Sequence, residues 1–100
     1  MASRVGLLVT IEAKPTKGDE VAAFLESAQQ LVAQEPATVT WYAVRLGPTS
    51  FGIFDTFADD EGRQAHLSGA VAQALGEAAP DLLAAAPDIR PVDVLAATRQ

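Results

Sequence analysis

The sequence contains a single histidine, His66. It lies nine residues after Phe57, the residue that ends an alternating apolar segment. Imidazole is the side chain whose ordinary pKa lies nearest neutrality. His66 could therefore deprotonate a phenol or an enol, and the electron-rich anion could react directly with dioxygen in a pocket that excludes water and stabilises the anion. The alternative is that His66 closes a short helix, where its ring would contact unpaired carbonyls.

Asp55 is the second candidate for chemistry, because it shares a strand face with Phe51, Ile53 and Phe57. A carboxylate on an apolar face must find a partner or change its pKa. Arg45, on the preceding strand, is the predicted partner, which would give an ion pair at the end of the sheet. Alternatively, Asp55 is a polar anchor for a substrate.

Trp41 and Tyr42 are neighbours in a strand and therefore point to opposite faces of the sheet. One of them is expected to line a ligand cavity and the other to contact whatever covers the second face, although large aromatic side chains are also common in cores. Trp41, Phe51 and Phe57 are the predicted walls of the cavity.

Composition excludes several classes of function. The 100 residues include no cysteine, so disulfides, thiolate metal sites and cysteine nucleophiles are excluded. A net charge of −6 argues against nucleic acid and anionic membranes as partners. One histidine without clustered carboxylates predicts no metal site. Without a signal-peptide pattern or a long apolar run, we expect a cytoplasmic protein that does not enter the membrane.

Hydrophobic periodicity and turn residues predict the elements that position these side chains. The predicted strands span residues 5–11, 38–46, 50–57 and 88–98. A capping box at 16–19 begins an amphipathic helix that ends near Pro36. Asp59 is expected to cap a short helix ending at Leu67, and Ser68 to cap another that Pro80 interrupts and restarts. Pro91 indicates that the last strand lies at an edge.

The order βαββαβ specifies an α+β, ferredoxin-like antiparallel sheet with helices on one face, as a single domain over residues 1–100. Apolar side chains also occur on the second face of the central hairpin, where no helix remains to cover them. A second copy of the chain is the expected partner, giving a homodimer.

Four short motifs occur in an order and spacing that resemble the antibiotic biosynthesis monooxygenase family of dimeric α+β barrels. They are the loop Lys14–Gly18, an aromatic second strand, the segment Phe51–Phe57, and Ala65–Ser68. The resemblance covers residues 5–97. It implies a dimeric barrel and cofactor-independent oxygenation of a small aromatic molecule or quinol in a cavity between sheet and helices, without metal or cofactor.

The chain departs from that family in the residues that its oxygenases typically use, an asparagine and a tryptophan in the cavity. It contains no asparagine, and Phe57 lies where many relatives have tryptophan. Ile11 replaces the first-strand asparagine of the haem-degrading group, so haem degradation is disfavoured. Three hypotheses remain: an oxygenase-like enzyme with His66 as base, a dimer that binds a small apolar ligand with no catalysis or different catalysis, and an assembly module with a filled cavity.

Overall fold

A computed structural model describes residues 3–98 of the chain. Its elements are β1 (Val5–Glu12), α1 (Gly18–Val32), β2 (Thr38–Arg45), β3 (Ser50–Phe57), α2 (Asp60–Leu67), α3 (Ala70–Leu82) and β4 (Asp88–Asp93). The four strands form one antiparallel sheet in the order β2-β3-β1-β4. This is the predicted ferredoxin-like α+β fold, with β2 and β4 at the two edges.

One face of the sheet carries the core, because alternate residues of each strand point to the same side. On that face the buried apolar side chains of β1 and β3 pack against α1 and Leu83, just after α3. The largest of them are Leu7, Ile11, Phe51, Ile53 and Phe57. The intervening residues of the same strands include Leu8 and Phe54, which are exposed. The helices therefore cover one face only, as predicted.

Two helix starts differ from the prediction and one agrees with it. Asp59 caps α2, its Oδ1 accepting a hydrogen bond from the Gly62 backbone N–H at 2.9 Å. The capping box predicted for α1 is wrong, since Lys17 is the N-cap and no side chain caps it. Ser68 ends α2 instead of starting α3, whose N-cap is Gly69. The Ser68 hydroxyl donates back to the carbonyls of the preceding turn, which occupies the group that would have capped the next helix.

The C-terminal part of the fold differs from the prediction at Pro80 and in β4. α3 continues through Pro80 to Leu82. Pro80 is exposed, and Lys14 Nζ donates to its carbonyl at 2.7 Å. β4 ends at Asp93 instead of residue 98, because Asp93 pairs with Val5, the first residue of β1. Pro91 lies on an edge strand as predicted.

Candidate functional site

A groove of about 610 Å³ runs between α1 and the edge strand β2. Its position follows from the topology, since β2 has a neighbour on one side only. The small side chains of Ala22 and Ala43 face it, which leaves room beside the indole of Trp41. The lining residues are Ala22, Leu25, Glu26, Gln29, Trp41, Tyr42, Ala43, Val44, Arg45 and Phe51. Three residues predicted to bind substrate, Trp41, Phe51 and Arg45, are thus brought together here.

Arg45 holds one end of the groove. Its Nη2 donates to Oδ1 of Asp19 at 3.0 Å and to the carbonyl of Pro48 at 2.8 Å, and its Nε donates to the carbonyl of Gly47 at 3.2 Å. The guanidinium carbon lies 5.1 Å from the ring centroid of Phe51, within the range of a cation–π contact. The backbone of the β2–β3 turn therefore fixes the orientation of this cation.

The predicted ion pair between Arg45 and Asp55 is wrong. In the β2–β3 hairpin Arg45 lies opposite Phe51, whereas Asp55 lies opposite Trp41. The two residues share a face but are separated by four positions along the strands, about 13 Å at the usual rise of a strand. This distance is too long for an ion pair.

Asp55 instead contacts His66 in the core. Asp55 Oδ2 lies 3.0 Å from His66 Nε2, and the side chains of the two residues are only 1% and 9% exposed. On the other side of the ring, His66 Nδ1 lies 2.6 Å from Oε1 of Glu35, which follows α1. The imidazole thus lies between two carboxylates that come from different parts of the chain. His66 neither closes a helix by contacting its carbonyls nor lines the groove.

The position of His66 is set by the way α2 is attached to the sheet. Arg63, one turn earlier in α2, donates through Nη1 to the carbonyls of Gly6 in β1 and Val92 in β4, both at 3.3 Å. The ring of His66 packs against that of Phe57, with centroids 5.4 Å apart. Phe57 is fully buried. It therefore belongs to the core beside His66 and not to the groove wall that was predicted for it.

The two carboxylates control the protonation of His66. Burial opposes the charged form of the ring, but the hydrogen bonds and negative charges of Asp55 and Glu35 outweigh it, so the pKa of His66 is raised. Three polar atoms near this cluster have no hydrogen-bond partner among the described residues: Glu35 Oε2, Asp55 Oδ1 and Trp41 Nε1. The other oxygen of Asp55, Oδ2, faces only His66 Nε2. A positively charged ring offsets the negative charge of the buried Asp55 and the half-buried Glu35.

Glu35 is the member of this cluster that sequence reasoning missed. It lies in Gln34-Glu35-Pro36, which the sequence identifies only as the end of a helix. Its Oε1 also accepts from the hydroxyl of Thr38 at 3.0 Å, which ties the cluster to the start of β2. The only available signal was that a buried imidazole beside one carboxylate needs a partner for its second nitrogen.

Within residues 3–98, no group of three or more potential ligands among histidine, aspartate and glutamate is arranged to hold a metal ion. The helices of that same range are all too short or too polar to cross a membrane. The groove is lined by the charged side chains of Arg45 and Glu26, the amide of Gln29 and the aromatic rings of Trp41, Tyr42 and Phe51.

Comparison with solved structures places this arrangement among known folds. A crystal structure of the NE2512 protein of unknown function from Nitrosomonas europaea is 45% identical in sequence and covers 98% of this chain and 95% of its own, with a TM-score of 0.95. A candidate antibiotic biosynthesis monooxygenase from Caulobacter crescentus is 22% identical, with a TM-score of 0.78, over 94% of this chain and 92% of its own.

A second candidate antibiotic biosynthesis monooxygenase, from Nitrosomonas europaea, is 14% identical over 95% of this chain and 93% of its own, with a TM-score of 0.82. No protein-family model matches the sequence, and none of the curated proteins does. The resemblance found in the sequence is thus confirmed at the level of the fold. The chain belongs to the family of the Nitrosomonas europaea NE2512 protein and has the antibiotic biosynthesis monooxygenase-like fold.

Proposed function

We propose that this protein binds a small apolar or aromatic molecule in the groove between α1 and β2. The observation that carries the proposal is the groove itself, in which the rings of Trp41 and Phe51 form walls beside the cation of Arg45. A volume of about 610 Å³ lies in the usual range for small-molecule sites. The aromatic side chains of the lining would bury a ligand, and its polar side chains, Arg45, Glu26 and Gln29, would fix the orientation of that ligand.

The proposed reaction is oxygenation of a quinol without a cofactor, which the fold of the two candidate monooxygenases favours. The quinol supplies all four electrons that dioxygen takes up. One oxygen atom forms a new C–O bond to the ring, the other leaves as water, and the product is the hydroxylated quinone. No external reductant is required. The second candidate function is ligand binding without oxygenation, favoured by the absence of asparagine and by Phe57 in the core.

Two groups compete for the role of proton acceptor in this reaction. His66 is the acceptor expected from the sequence, but both of its ring nitrogens already face carboxylates, and none of His66, Asp55 and Glu35 lines the groove. Glu26 is the one carboxylate among the residues that line the groove. We therefore assign proton transfer to Glu26 and a positioning role to His66, which holds Asp55 directly opposite Trp41.

The proposed functional unit is a cytoplasmic homodimer formed through the uncovered face of the sheet. Five large apolar side chains on that face are exposed by 37% to 65%: Leu8, Tyr42, Val44, Leu46 and Phe54. Large contiguous apolar patches are uncommon on monomers. A second copy of the chain would remove this surface from water. A two-fold axis would bring the same face of the two copies into contact with itself.

The binding proposal is tested by titrating hydroquinone without oxygen and observing the indole N–H resonance of Trp41, the only tryptophan. We expect a saturable shift in the wild type and its loss in Ala22→Leu, which narrows the groove. Ala23→Leu is the matched control, since Ala23 is exposed on α1 and does not line the groove. An indole resonance that hydroquinone never moves would contradict binding at this site.

The oxygenation proposal is tested with an oxygen electrode. We expect one dioxygen consumed per quinol, a loss of uptake in Glu26→Gln, and a smaller loss in His66→Gln when only folded protein is counted. The reverse order of the two variants would assign the proton transfer to His66. Binding without any oxygen uptake, across a panel of quinols and polyphenols, would support the second candidate function instead.

A further inference from the structure

The guanidinium of Arg45 is oriented without being neutralised. Two of its three hydrogen bonds go to backbone carbonyls, those of Gly47 and Pro48, which carry no net charge. Among residues 3–98 its only charged partner is Asp19, whose side chain is 96% exposed, and exposed ion pairs contribute little. The N–H groups of Nη1 have no partner among the described residues. A fixed cation with two available donors therefore lies at one end of the groove.

Two further polar side chains of the groove, Glu26 and Gln29, lie on α1. Glu26 is seven residues beyond Asp19, so it lies about 10 Å further along the helix axis. Gln29 follows on the same side one turn later. The groove thus has a positive group at the end near the β2–β3 turn and a hydrogen-bond acceptor further along α1, with aromatic rings between them.

From this arrangement we infer that the groove selects an aromatic ligand carrying one carboxylate, which pairs with Arg45, and a hydroxyl group at its opposite end, which donates to Glu26. The inference rests on the proposed binding site. A carboxylate matches the planar fork of donors that arginine presents, and a second negative charge at the far end would be repelled by Glu26. The preference for a carboxylate must come from Arg45 itself, since the protein as a whole has a net charge of −6 and repels anions.

The test compares 4-hydroxybenzoate with 4-hydroxybenzamide, which have nearly the same shape but differ in charge. Calorimetry gives the affinities, and the Trp41 indole resonance confirms the site. For the wild type we expect the carboxylate to bind about tenfold more tightly than the amide. Arg45→Gln should remove that preference by weakening the binding of the carboxylate about tenfold more than the binding of the amide. Asp19→Asn should change the affinity for the carboxylate only slightly, because the exposed Asp19 competes weakly for Arg45.

Equal affinities for the two probes in the wild type would overturn the inference and leave the proposed function intact. A preference for the carboxylate that persists in Arg45→Gln would also overturn it, since the charge would then be recognised elsewhere. If Arg45→Gln weakened both probes alike, Arg45 would be a structural residue and the inference would fail. Binding of neither probe, together with no shift by hydroquinone, would overturn the proposed function and this inference with it.

Discussion

Nε2 of His66 lies 3.0 Å from Oδ2 of Asp55, and the side chain of Asp55 is only 1% exposed. This contact joins α2 to β3, and the contact of the same ring with Glu35 joins α2 to the segment after α1. A single imidazole thus connects three parts of the chain that are distant in sequence.

Replacing His66 with alanine should destabilise the fold severely. The substitution leaves Asp55 buried without its charge partner, and breaking a buried pair in this way typically costs about 3–5 kcal/mol. Urea denaturation measures the change. Asp88→Asn is the control, because it removes an exposed ion pair with Arg90 and should change the free energy of unfolding by less than about 1 kcal/mol. Similar stabilities for the two variants would refute the structural role of His66.

Stability should decrease as the pH rises above neutrality. The pKa of His66 is raised in the folded protein, so its stabilising contribution is complete below the unfolded value of about 6.5 and is lost as the pH rises through the folded pKa. The free energy of unfolding of the wild type, measured relative to His66→Gln from pH 6 to pH 9, should therefore fall. A difference that grew with pH would show that the folded pKa is lowered instead.

The uncovered sheet face predicts the effect of a charge at Phe54. Phe54→Asp should convert the dimer, of about twice the 10.4 kDa chain mass, into a monomer. Dimer formation would bury the new carboxylate without a partner. Analytical ultracentrifugation distinguishes the two. Ala23→Asp, on the exposed side of α1, is expected to leave the mass unchanged. A wild type that sediments as a monomer at all concentrations would exclude the homodimer.

Two glycine substitutions should have opposite effects on stability. A side chain at Gly18 would collide with the carbonyl of Pro48, so Gly18→Ala must move α1 away from the β2–β3 turn and should destabilise by about 1–3 kcal/mol. Gly76 lies inside α3 with open space around it. Gly76→Ala should therefore stabilise by about 0.5–1 kcal/mol, the usual helix preference of alanine. Thermal unfolding of both variants tests the pair, and an unaffected Gly18→Ala would show that this contact is not tight.

Gly18→Ala also separates stability from the groove. The same shift of α1 would disturb Arg45, whose Nη2 lies beside Gly18, whereas Gly76 is not among the residues that line the groove. Gly18→Ala should thus weaken the binding of 4-hydroxybenzoate more than that of 4-hydroxybenzamide. Gly76→Ala should change neither affinity.

The fold could be predicted from the sequence because the alternation of apolar and polar residues, and the residues of turns, determine structure locally. The alternation of Phe51, Ile53 and Phe57 correctly predicted the core face of β3, and Asp59 correctly predicted the start of α2. Helix starts that depend on competition between neighbouring groups were less accessible. Thr16 and Ser68 have the side chains that cap helices, yet Lys17 and Gly69 occupy the capping positions.

The candidate site was less accessible because it depends on register and on contacts between distant segments. The short turn at Gly47 already places Arg45 near Phe51. Following the hairpin register from that turn would have excluded the predicted ion pair between Arg45 and Asp55. The contact between His66 and Glu35 has no comparable local signal. It arises only when α2 packs beside the segment that follows α1, where Glu35 lies 31 residues before His66.

The two edges of the sheet differ in how they can meet another strand. β4 carries Pro91, which lacks a backbone donor and hinders further pairing, whereas β2 contains no proline. Misassembly by strand addition should therefore proceed through β2, the strand that also forms one wall of the groove. A bound ligand would then protect the protein against aggregation by covering the edge from which aggregates grow.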